Sequence, residues 1–140
     1  MREQYIEAVL AVADLIPPAR VLSYGDIAAL LENGGPRQVG AVMAAQGSDA
    51  PWWRVIRANG QAPQGLDAQA LDHYRHEETA LRGDTTPTAG RTPSWRVDMK
   101  LARWNPSDTE FDQIDAIAES LRALDGADAT MSEPHDGLQV

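Results

Sequence analysis

A chain of 140 residues, 43% of them apolar, has material for one ordinary core, and no apolar run approaches the roughly 20 residues that span a bilayer. The absence of cysteine excludes disulfides, thiolate metal sites and any reaction through a thiol. The net charge of −9 is unevenly placed: residues 1–104 carry 11 Lys and Arg against 12 Asp and Glu, residues 105–140 carry 1 against 9.

The segment Tyr5-Ile6-x-x-Val9-Leu10-x-Val12-Ala13-x-Leu15-Ile16 has apolar residues at helical spacing, and Pro17-Pro18 ends the helix it predicts. After a short extended link, Arg20-Val21-Leu22, the run Ser23-Tyr24-Gly25-Asp26 reads as a capping box, a hydroxyl and a carboxylate three residues apart serving free N–H groups. It opens a helix through Leu31. Asn33-Gly34-Gly35 breaks that helix, and Pro36 suits the first turn of the next. The third helix, Arg37 to about Gln46, is built of small residues. Two short helices joined by a Gly-rich turn read as a helix-turn-helix.

Trp52-Trp53-Arg54-Val55-Ile56-Arg57 is a strand by composition, which would turn one indole inward and the other away. Asn59-Gly60 signals a tight turn. A helix is expected from Ala68 to about Arg82, then an exposed connection from Gly83 to Pro93. Trp95–Met99 reads as a second strand, with a short turn at Leu101–Trp104. Pro106-Ser107-Asp108-Thr109-Glu110 is another capping box. It precedes an acidic amphipathic helix, about 107–124, with Phe111, Ile114, Ile117, Leu121 and Leu124 on one stripe. That helix docks on the body or meets a partner, and the chain after Asp125 is expected to be disordered.

The expected fold class is therefore mainly α with a small β element, a winged-helix-like body at 1–104 followed by an acidic tail at 105–140. A nearly neutral body attracts a polyanion weakly at long range, so DNA binding would rest on local geometry. His73 and His76, with Glu77 beside them, lack further ligands and read as a solvated face rather than a metal site. Arg54 reads as a structural residue paired with a carboxylate. With no basic n-region and apolar run after Met1, no signal peptide is evident, so a cytoplasmic protein is expected.

Several ordered motifs carry a resemblance. Ile16-Pro17, Val21-x-Ser23-Tyr24-Gly25-Asp26-Ile27-Ala28, Arg37-x-Val39-Gly40 and Pro51-x-x-Arg54-Val55-Ile56 together resemble the DNA-binding domain of O6-alkylguanine-DNA alkyltransferases. Within that group, Trp52 where those enzymes have cysteine, and Arg96-Val97-Asp98, resemble the alkyltransferase-like proteins. The resemblance covers about residues 3–104. It implies that the helix starting near Arg37 enters the DNA minor groove, that Arg37 fills the gap left by an extruded guanine, and that Tyr24 helps rotate that nucleotide outward. It implies a DNA-binding set of Tyr24, Arg37, Gly40, Ala41, Met43 and Gln46. The lesion pocket would be lined by Trp52, Trp53, Val55 and Gly65, with backbone of the Val55–Gly65 region.

The implied function is non-enzymatic: recognition of O6-alkylguanine in double-stranded DNA, flipping of the base, and handover to nucleotide excision repair proteins. A monomer without cofactor, metal or membrane attachment is expected. Alkyl transfer needs a thiolate and a base beside it, and neither Trp52 nor Trp53 supplies one. Three departures stand out. Trp53 replaces the His of the family pattern, Gln46 replaces its Asn, and the Gln61–Gly65 loop is shorter and lacks a Tyr-Ser pair, leaving room for bulkier adducts. Two other readings stay open, a winged-helix regulator without lesion specificity and a protein–protein interaction module working through the acidic helix.

Overall fold

The structure, a computed structural model, describes residues 3–87 and 91–132, with 125–132 as backbone alone. Three helices open the chain: α1 (Glu3–Leu15), α2 (Tyr24–Leu31) and α3 (Pro36–Gln46). Ser23 caps α2 as its residues require. The Ser23 Oγ accepts from the Asp26 N–H at 3.0 Å and the Asp26 carboxylate accepts from the Ser23 N–H at 2.9 Å, a reciprocal box. The α2–α3 turn carries Glu32 at φ 54° and Gly34 at φ 70°. A side chain on Gly34 would run into the Tyr5 hydroxyl, which donates to the Asn33 carbonyl at 3.2 Å, so glycine is needed for space as well as conformation. Pro36 sits in the first turn of α3.

The β structure is slight. Strand β1 (Leu22–Ser23) pairs in parallel with β2 (Val55–Ile56), and β3 (Leu81–Arg82) pairs antiparallel with β4 (Arg96–Val97). Helix α4 (Asp67–Glu77) lies between β2 and β3; α5 (Met99–Ala102) follows β4, and α6 is Asp108–Ser132. Gly60 adopts φ 91° in the expected turn, where its carbonyl accepts from the Val97 N–H at 2.8 Å. The molecule is thus mainly helical with small sheets, as its sequence predicts.

Three expectations need correction. Only Val55 and Ile56 of the tryptophan segment form strand; Trp52–Arg54 is a 3-10 turn, because the Arg54 side chain is drawn back to Ile16, just past α1, and to Glu77 of α4. Helix α4 stops at Glu77 rather than near Arg82, since Glu78 turns left-handed (φ 62°) and Leu81–Arg82 are recruited to pair with β4. Helix α6 runs to Ser132 rather than ending near residue 124, and the rest of the chain end expected to be disordered, residues 133–140, lies outside the described residues.

Two clusters make the core. One joins α1, α2, α3 and α6, through residues such as Val9, Val12, Ile27, Leu31, Val39 and Ile114. The other joins α4 to the sheets through Val21, Ile56, Tyr74, Trp95 and Val97. Helix α6 docks on α1 and α2 by burying Ile114, Ala118 and Leu121, and its capping box forms as expected between Ser107 and Glu110. Trp52 packs against both clusters and so stands at their seam.

Candidate nucleic-acid interface

Helix α3 divides its surface by its period. Val39, Val42 and Met43 face the core. Gly40, Met43, Ala44 and Gly47 fall at three- and four-residue steps and line one side of a cavity of about 560 Å³. Arg37, Ala41 and Ala45, four residues apart, stand exposed on the adjoining stripe, and Gln46 ends the helix in solvent. Arg37 makes no hydrogen bond or ion pair among the described residues, so its guanidinium is free to meet another molecule.

The opposite side of the cavity is built by the parallel pairing of β1 with β2. That register sets Ser23 beside Ile56, and so brings Tyr24, at the start of α2, close to Arg57, at the end of β2. The Tyr24 ring lies over Gly40; a methyl group on Gly40 would touch it at 3.8 Å. Burial pushes the Tyr24 phenol above its ordinary range, against a smaller opposing pull from Arg57, so it stays a neutral donor. Trp52, Pro63, Gln64, Leu66 and Gln69 complete the wall with Ser48 and Arg57. The result is a mostly apolar hollow with a few polar groups, of a size that suits a small ligand.

Trp52 is held in place from behind. It meets the edges of Trp53 and His73 at centroid distances of 5.6 Å each, with interplanar angles of 90° and 84°. Trp53 and His73 stack at 3.6 Å and 5°. The Trp53 indole N–H donates to Glu77 Oε2 at 2.9 Å, and its carbonyl accepts from the Tyr74 hydroxyl at 2.6 Å. Arg54 completes the lock. Its Nε and Nη2 donate to Glu77 at 3.2 and 2.5 Å, and its Nη1 donates to the Ile16 carbonyl at 2.9 Å. Burial pushes the Glu77 carboxyl up, but hydrogen bonds from Arg54, the Ala19 N–H and Trp53, with the Arg54 charge, overcome it and hold the group below its ordinary range.

Of the residues expected at a site, Tyr24, Gly40, Met43 and Trp52 meet at this cavity, beside exposed Arg37 and Ala41. The other expected pocket residues lie elsewhere. Val55 is fully buried in the first core cluster because β2 is covered on both sides. Trp53 is turned away onto His73, and Gly65, at φ 82°, borders a separate hollow beside α4. Both tryptophans are half-buried, so the alternation expected of a strand does not occur. His73 belongs to the aromatic stack rather than to a solvated face, and no group of three or more potential metal ligands occurs among the described residues. Sequence reasoning missed the side chains of Arg57, Leu66 and Gln69, which reach the cavity from the end of β2 and from the start of α4. The arginine following Val55-Ile56 was the one available signal.

Residues 4–82, more than half the chain, match the family model described as 6-O-methylguanine DNA methyltransferase, DNA binding domain. A "DNA base-flipping protein" of Vibrio parahaemolyticus serotype O3:K6 (strain AQ3810) is 36% identical over 107 residues, spanning 74% of this chain and 99% of that protein. S. pombe Atl1, solved with damaged DNA containing O6-carboxymethylguanine, has a TM-score of 0.62 at 20% identity, covering 76% of this chain and 99% of Atl1. A second S. pombe ATL structure, in complex with DNA, gives a TM-score of 0.61 at 22% identity, covering 76% and 100%. By its motifs, its matched segment and its bacterial relative, this chain belongs to the family of the 6-O-methylguanine DNA methyltransferase DNA-binding domain.

Proposed function

We propose that this protein is a non-enzymatic sensor of O6-alkylguanine in double-stranded DNA. It binds through α3 in the minor groove, flips the altered base into the cavity walled by Trp52, and leaves the alkyl group in place. The observation that carries the reading is the cavity itself, bordered by Tyr24 and α3 beside an unpaired Arg37, in a chain with no cysteine.

Base flipping costs a few kcal/mol, less for a weakly paired damaged base, and a pocket must return that energy. An indole wall offers stacking worth about 1–3 kcal/mol. Arg37, a planar cation able to stack and to stay charged near phosphates, fills the vacated place in the duplex. Trp52 takes the position of the family's alkyl-acceptor cysteine, turning a reaction centre into a stacking surface. A flagged lesion is handed to other repair machinery, for which nucleotide excision repair is the proposed route.

The test places 2-aminopurine beside O6-methylguanine in a short duplex. Binding should brighten the probe as the lesion leaves the stack, and Arg37→Ala and Trp52→Ala should reduce that response. The recovered strand should keep the mass of its methyl group. No brightening, or loss of the methyl group, contradicts the proposal.

A further inference from the structure

Among the described residues, Arg57 is the one charged side chain bordering the cavity, and none of them neutralises it. Its Nε and Nη2 donate to the Ala62 carbonyl at 3.0 and 2.7 Å, and no carboxylate forms an ion pair with it among the described residues. Its Nη1 is left without a hydrogen-bond partner among the described residues. The clamp is short and rigid: the Arg57 N–H donates to the Gln61 carbonyl at 3.1 Å, the Gly60 N–H returns to the Arg57 carbonyl at 2.9 Å, and Ala62 is 1% exposed. The guanidinium is therefore ordered before any ligand arrives, so little side-chain entropy remains to be lost on binding. Trp52, Met43, Pro63 and Leu66 supply apolar walls, and a cation among apolar walls attracts an anion more strongly than it would in open water. The other group near it, Tyr24, is a phenol and offers no negative charge at neutral pH.

We propose that Arg57 gives the cavity a preference for guanines whose O6 substituent carries a carboxylate over neutral adducts of the same size. The inference rests on the reading of the cavity as the lesion pocket. A carboxylate on a short O6 side chain would accept from the free face of a guanidinium already fixed in position, a charge-assisted hydrogen bond that a neutral isostere makes more weakly. Anionic chemistry also exists in the DNA phosphates, and an Arg57 that met a phosphate would strengthen binding to every duplex alike.

The experiment measures dissociation constants for four short duplexes: undamaged, and carrying O6-methylguanine, O6-carboxymethylguanine, or its neutral carboxamidomethyl isostere. Wild type should bind the carboxymethyl duplex about tenfold more tightly than the carboxamide, as expected for a charged hydrogen bond in a partly dry site. Arg57→Gln should bring that ratio close to one, and Arg57→Lys should retain part of it. Because the readout is a ratio between isosteres, loss of the Ala62 clamp or of a phosphate contact cancels. A wild-type ratio near one, or a ratio unchanged in Arg57→Gln, overturns the inference. A fall in affinity for all four duplexes with the ratio intact assigns Arg57 to phosphate and overturns it equally. Failure to prefer O6-methylguanine over undamaged DNA instead overturns the lesion-pocket reading, and the inference with it.

Discussion

Trp52 and Trp53 are adjacent in sequence and face different tasks. Trp52 faces the cavity and bridges the two core clusters; Trp53 is spent on holding it, stacked on His73 and tied to Glu77. The histidine of this aromatic group comes from α4, His73, whose ring also meets Trp52. His73 is thus a positioning residue, and His73→Ala should cost about 1 kcal/mol of stability, the range of one aromatic pair. It should also loosen Trp52, seen as higher mobility in time-resolved tryptophan anisotropy, and lower the lesion preference less than Trp52→Ala does. A loss of stability with Trp52 anisotropy unchanged would show that His73 only packs. None of this was legible in the local sequence, because the partners of Trp53 lie 20 or more residues away. Arg54 was legible as a structural ion-pair residue, since an arginine inside an apolar run needs a carboxylate; which one it takes, Glu77, only the fold decides.

At the scale of elements, the helices with strong end signals were readable. Ser23 and Asp26 at α2, Pro36 at α3, and Ser107 and Glu110 at α6 all state their own boundaries. The end of α4 was not, because Glu78 takes a left-handed conformation without glycine, and β3 exists only by pairing with a strand about fifteen residues on. Helix α4 is fastened to the rest by Glu77, which receives Arg54, Trp53 and the Ala19 N–H. Glu77→Gln should lower stability at pH 7 by about 2 kcal/mol, between the values for exposed and fully buried ion pairs. Since the folded carboxyl lies below its ordinary 4.5, its contribution is complete above that pH and is lost as pH falls through the lower folded value. Wild type and Glu77→Gln should therefore converge in denaturant melts as pH drops below about 4.5. A gap that stays constant with pH would contradict the assignment of Glu77 as the fastening carboxylate.

For the molecule as a whole, the charge asymmetry read from the sequence acquires a location. The acidic segment is a helix docked on α1 and α2 through Ile114, Ala118 and Leu121, so the middle of its apolar face is occupied by this chain's own core, while Phe111 and Leu124 stay exposed on either side. Deleting it would open that core, and its electrostatic influence is better tested by charge alone. Asp108, Asp112, Asp115 and Glu119 are exposed. Changing all four to Asn or Gln should tighten DNA binding at low salt with little loss of stability, and the gain should shrink as ionic strength rises. Equal affinity at every salt concentration would show that the helix is electrostatically remote from the DNA. The helix-turn-helix was readable from its caps and its Gly-rich turn; the Asn59-Gly60 turn and a helix near Ala68 were readable too, but not that they set Leu66 and Gln69 opposite α3 across the cavity. The account as a whole stands on discrimination between a damaged and an undamaged base. The most direct measurement is the dissociation constant of wild-type protein for a short duplex with one O6-methylguanine against the same duplex with guanine, at fixed salt. The account predicts at least about tenfold tighter binding to the damaged duplex, in line with stacking of one flipped base; equal affinity for the two would contradict it.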